Sequence, residues 1–211
     1  MISSRRIPIF DGHNDVLLRL YRRGGVDAPA AFLEGEAKGQ GQLDLPMARR
    51  GGFAGGLFAV FVTSTDQKND PNNETPSQEV SSSALLPTAP ELARAQKAVF
   101  AMVSLLFRIE RESKGSVRVC RSVDDVQRCL AAGVLAAVLH VEGAEAIDAN
   151  LELLDVLCEA GLPSLGPVWS RPNAFGHGVP FRCPSSPDTG PGLTDLGKEL
   201  VGRVQPIENS D

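Results

Sequence analysis

Five short apolar runs punctuate the chain, at residues 7–10, 57–62, 117–120, 135–141 and 164–168. Each has about the length of a buried strand, and several lack polar alternation, as strands covered on both faces do. Between them the apolar positions recur at helical spacing. Short helices are predicted over 15–21 and 43–50. The longest helix is predicted from about 89 to 113, with Thr88 and Glu91 as a capping box and Pro90 in its first turn. Its apolar face would carry Leu92, Val99, Met102, Val103, Leu106 and Ile109. Ser122 and Asp125 are placed to cap a further helix that stops at Gly133, and residues 150–160 form another with Gly161 as its stop. Strands alternating with helices predict an α/β fold with a parallel sheet.

Two stretches break this pattern. Residues 64–83 are rich in Asn, Asp, Pro and Ser and predict an exposed, mobile loop, placed overall at 63–87. Residues 175–192 are rich in Gly and Pro, with little periodicity. At 211 residues the chain is read as a single domain, 1–211, whose last stretch, 202–211, is a polar tail without a strand pattern.

Charge changes the picture only by exclusion. The 21 basic and 26 acidic residues are interspersed, leaving a net charge of −5. No basic stripe of the kind that binds nucleic acid exists, so a small-molecule substrate is expected. The apolar run near the start is too short for a signal peptide, and no segment reaches the roughly 20 apolar residues of a membrane span. Cys120, Cys129, Cys158 and Cys183 form no C-x-x-C pair and are read as buried free thiols. A cytoplasmic protein is the expectation.

Candidate chemistry sits at the ends of two of the apolar runs. The first is followed by Asp11-Gly12-His13-Asn14-Asp15. Residues two apart on a strand share a side, so His13 and Asp15 can offer an imidazole nitrogen and a carboxylate oxygen to one cation, a pairing that zinc accepts. A polar strand end is the plainer reading of the same residues. The fourth run ends in His140-Val141-Glu142-Gly143. An ionised Glu142 closing a buried strand needs a cation or several hydrogen bonds, and a salt bridge or helix cap would also serve. His140 is read as a core histidine. His177, between two glycines, could touch substrate or stand in solvent, and Trp169 could line a pocket or pack. No P-loop, G-x-S-x-G or Cys–His nucleophile pattern is present.

Taken in order, these stretches resemble the membrane (renal-type) dipeptidase family, peptidase family M19, in its bacterial-like branch. The likeness is carried by Phe10-Asp11-Gly12-His13-Asn14-Asp15, Gln42-Leu43-Asp44-Leu45-Pro46 and Gly51-Gly52-Phe53-Ala54-Gly55-Gly56-Leu57-Phe58. It continues through His140-Val141-Glu142-Gly143-Ala144-Glu145, Ser164 to Asn173, and Gly192 to Leu200.

The resemblance implies a (β/α)8 TIM barrel of the amidohydrolase type with two zinc ions at the carboxyl ends of the strands. By the same resemblance, His13 and Asp15 bind one metal, Glu142 bridges both, and a metal-bridged hydroxide attacks the peptide bond of a dipeptide. Trp169 or Ser170 stands where many members carry a substrate-facing histidine, and His177 is the candidate substitute. The later histidines of the second metal have no counterpart, since the chain has three histidines and none beyond His177. The barrel is therefore expected to be incomplete, the chain being cut short relative to the roughly 250 residues of such a fold. A non-catalytic, partner-binding fragment or an amidohydrolase acting on another amide stays open beside the dipeptidase, and a homodimer is allowed for.

Overall fold

The computed structural model describes residues 7–37, 40–64, 89–179, 186, 188 and 190–204. The greater part of the expected loop at 63–87, Thr88, Cys183 and the last seven residues lie outside the described set. The chain folds as two compact units, one of Met1–Phe61, Ala98–Val141 and Gly161–Ser164, the other of Val62–Lys97, Glu142–Ala160 and Leu165–Asp211.

The first unit is built on a sheet. Its strands are β1 (Ile9–Asn14), β2 (Phe53–Phe61), β3 (Val117–Cys120) and β4 (Leu135–Glu142), in the order β1-β2-β4-β3, and β5 (Ser164–Gly166) also pairs with β4. β1 runs parallel to β2, and β3 parallel to β4. The unit boundary falls inside β4, so its last residue, Glu142, is carried by a strand of this sheet.

Helices lie between the strands, as α1 (Val16–Arg23), α2 (Ala28–Glu34), α3 (Leu45–Gly51), α4 (Leu92–Glu112), α5 (Val123–Ala132) and α6 (Glu152–Glu159), and α7 (Asp195–Val204) follows the last strand. None of them is long and apolar enough to cross a membrane. The predicted face of α4 is buried at Val99, Met102, Val103, Leu106 and Ile109. Leu92 is exposed instead, because it opens the first turn. Pro90 precedes the helix rather than sitting in it, since the first intrahelical bond runs from the Ala95 N–H to the Glu91 carbonyl.

Several boundaries move for local reasons. β1 reaches beyond its apolar run through Asp11 to Asn14, because ladder pairing with β2 holds those polar residues extended. It is also an edge strand, so Ile9 and Phe10 are 53% and 44% exposed rather than covered. β2 begins at Phe53, and Gly55 and Gly56 lie inside it because neighbouring strands come too close for a side chain. A Cβ at 55 would stand 2.8 Å from that of Ala136, and one at 56 would stand 2.8 Å from that of Asp11.

α2 goes unread in the apolar pattern because it is short and has almost no polar face. α6 starts after Leu151, whose φ of 63° is left-handed, rather than at 150, and its capping group is Asp148. The Asp148 carboxylate accepts from the N–H groups of Asn150, Glu152 and Leu153. α7 extends past Leu200 to Val204, its last turn held by a two-pronged Arg203–Asp155 pair at 2.8 and 3.2 Å.

Cys120 and Cys129 are buried with their sulfurs 3.7 Å apart in a cluster with Ala136 and Val138, and burial pushes the Cys120 thiol up to about 12. Cys158 is exposed, contrary to expectation, since it lies on the outer side of α6 while Leu154 and Leu157 fill the inner one.

The capping box of α5 forms as the sequence predicts. The Asp125 N–H donates to Ser122 Oγ, and the Asp125 carboxylate accepts from the Ser122 and Arg121 N–H groups and from Arg128. Those bonds, the Arg121 N–H first, hold its carboxyl down at about 2. A folded value below the unfolded one near 4 contributes stability that is complete above that pH and lost as pH falls through about 2. NMR titration of the Asp125 carboxyl should show a midpoint near 2. Asp125→Asn should flatten the stability profile over that interval.

Candidate metal centre

Between Asp11 and Asn14, β1 carries one more residue than the facing segment of β2, so the ladder slips there. Such a bulge bends the strand and re-aims its side chains. Asp11 holds it: Oδ1 accepts from the His13 N–H at 3.2 Å and Oδ2 from the Asn14 amide at 3.3 Å. Asn14 also donates to the Leu57 carbonyl at 3.1 Å, tying the bulge to β2. His13 therefore points from the bulge, and Asp15 comes from just beyond the strand, as the residue before the first turn of α1. Simple two-residue alternation along one strand is not what brings them together.

Glu142 ends β4, and Gly143 follows with a φ of 85°. One ligand atom each from His13, Asp15 and Glu142 lies within 4.8 Å of the others, with His13 Nε2 3.6 Å from Asp15 Oδ1. All three sit at the carboxyl ends of their strands or just past them. The His13 and Asp15 side chains are 40% and 58% exposed, which leaves the cluster open to a ligand. One nitrogen and two carboxylate oxygens suit a divalent cation, and two carboxylates this near one another repel without one.

His140 stands beside this cluster. Its ring meets that of His13 edge-on at 6.1 Å, and its Nδ1 is hydrogen-bonded to Ser164 Oγ at 2.8 Å. Burial, and then the charge of His13, hold its pKa below the ordinary imidazole range. That is the satisfied, half-buried histidine expected from the sequence.

His177 is exposed and is not part of the cluster. Its backbone is tied down: the His177 N–H donates to the Gly192 carbonyl, and the preceding Gly176 bridges Asn173 and Leu193. Trp169 has the Arg171 guanidinium 5.3 Å from its ring centroid. Sequence reasoning passed over Arg171 and Glu145, which pair in the interior. The signal available was their place in the ordered stretches flanking Glu142 and Trp169.

A cavity of about 290 Å³ lies at the opposite, amino end of the strands, against Pro8, Phe53 and Leu135, and contributes nothing to this cluster.

The family model for membrane dipeptidases, peptidase family M19, matches residues 3–205. This chain belongs to the membrane dipeptidase family. Among proteins of that kind with solved structures, it is similar to a metallo peptidase described as dipeptidase AC, at 46% identity and a TM-score of 0.80, covering 93% of this chain and 53% of that one. It is equally similar in fold to a metallo peptidase from Rhodobacter sphaeroides, at 45% identity and a TM-score of 0.80, covering 93% of this chain and 55% of that one. That enzyme was solved with a phosphinate mimic of the dipeptide L-Ala-D-Ala. A protein from Acinetobacter calcoaceticus, described only as an uncharacterized protein in the PQQ-III 3′ region, is 40% identical over 96% of this chain and 61% of its own length. The chain thus spans between 53% and 61% of the length of these relatives. The expected α/β architecture, part of a (β/α)8 barrel of the dipeptidase kind, is the fold found.

The bulge makes a checkable claim about the site's scaffold. Asp11→Ala removes two hydrogen bonds and should cost about 1 kcal/mol in urea unfolding.

Proposed function

We propose that the chain carries the first metal-binding half of a zinc-dependent dipeptidase that hydrolyses the peptide bond of small dipeptides. The observation that supports this is the convergence of His13, Asp15 and Glu142 at the strand ends in a chain of the membrane dipeptidase family. His13 and Asp15 would hold one ion, and Glu142 would be shared with a neighbouring one. A bound metal pair supplies Lewis acidity, acidifying water and drawing electron density from an amide carbonyl.

The residues of the chain do the rest. The bulge at Asp11–Asn14 presents His13, the N-cap position of α1 presents Asp15, and the end of β4 presents Glu142, so three supports converge on one point. His140, neutral at pH 7 and fixed by Ser164, buttresses the His13 ring without adding charge. Substrates with a D-residue at the carboxyl end are favoured by the likeness to the enzyme solved with the L-Ala-D-Ala mimic.

Elemental analysis of the purified protein should find zinc, and His13→Ala or Asp15→Ala should strip the first ion. Zinc content unchanged in both variants would sink the ligand assignment. A version of the chain extended to the length of its relatives should release amino acids from L-Ala-D-Ala, and the same substitutions in it should bring that release to background. Hydrolysis of another amide but of no dipeptide would overturn the substrate class while leaving the metal site standing.

A further inference from the structure

Glu145 and Arg171 form an ion pair shut off from solvent, each side chain only 1% exposed. Arg171 Nε donates to Glu145 Oε1 at 2.7 Å. The rest of the fork reaches the chain that leaves β2, with Nη1 donating to Ser64 Oγ at 3.0 Å and Nη2 to the Val62 carbonyl. One planar group thus binds three acceptors from two stretches of chain, which a lysine could not do. Burying a charge pair is a poor route to stability, because apolar replacements of similar volume are often as stable or more so. The pair calls for another explanation.

Its geometry supplies one. Glu145 Oε2 is buried and accepts no hydrogen bond. It occupies the space beside Gly143 where a Cβ would stand, so an added Cβ would collide with the carboxylate. Gly143 immediately follows Glu142, and its N–H, like that of Ala144, is anchored on the strand-end carbonyls of Gly166 and Pro167 at 2.9 and 3.1 Å.

We propose that Glu145 and Arg171 are positioning residues for Glu142. The Glu145 carboxylate wedges the turn at Gly143, and Arg171 braces the wedge against residues 62–64, fixing the direction in which Glu142 leaves β4. The inference rests on the reading of Glu142 as a metal ligand.

Cobalt(II) titration of the protein tests it, with affinity and visible d–d absorption as readouts and circular dichroism as the check on folding. Glu145→Asp keeps the charge but draws the carboxylate back from Gly143 by one methylene. Its cobalt affinity should fall about tenfold, the size seen when groups supporting a metal ligand are altered, with a shifted spectrum. The double replacement of Glu145 and Arg171 by Met removes both charges together and should fold yet bind cobalt as weakly. Either folded variant with wild-type affinity and spectrum would reduce the pair to a structural role and overturn the proposal. If the double variant does not fold, Glu145→Asp decides alone. Failure of the wild-type protein to bind cobalt would instead remove the ligand role of Glu142 itself. Loss of binding in Glu142→Gln beside unchanged Glu145→Asp would remove the positioning role alone.

Discussion

The sheet that carries the candidate metal centre depends on how closely three strands approach one another. At positions 55 and 56 there is room for a hydrogen and nothing more: the backbone and Cβ of Ala136 crowd one, and those of Asp11 crowd the other. Two successive glycines let β2 lie tight between β1 and β4. The outer strands, β1 and β4, end at the histidine and the carboxylate of the candidate centre. A strand pair is normally set about 4.8 Å apart by its hydrogen bonds. Here the side-chain layer on β2 is thinned as well.

Much of this was legible in the chain and some was not, for physical reasons. β3 and the body of β4 were readable because buried strands are continuous apolar runs. α5 was readable because its capping box is a local matter of side chains three residues apart. β1 was read short because Asp11, Gly12, His13 and Asn14 are polar and are held extended only by pairing with β2, which no local pattern records. β2 was read short for the opposite reason: Gly55 and Gly56 look like a turn until the neighbouring strands are in view.

His13, Asp15 and Glu142 could be singled out because ionisable groups at the ends of apolar runs need partners. The cause assigned to the first two was incomplete, since a bulge and a helix start, not strand alternation, aim them. Glu145 and Arg171 stand 26 positions apart and meet only through tertiary structure. Neither the wedge on Gly143 nor the reach to Val62 leaves a trace in composition or periodicity.

The same connections govern when the molecule becomes itself. Asn14 closes on Leu57 across 43 positions, and Arg171 closes on Val62 across 109. Helical segments such as α5 form in about a microsecond, whereas pairings this distant along the chain are what slow a fold. During synthesis at about 5–20 residues per second, β1 emerges first and waits some seconds for β2, with Ile9 and Phe10 still in water. The Arg171 brace arrives later still. Residues that meet at the candidate centre are therefore made far apart in time, and a nascent chain carries His13 and Asp15 for seconds before Glu142 exists.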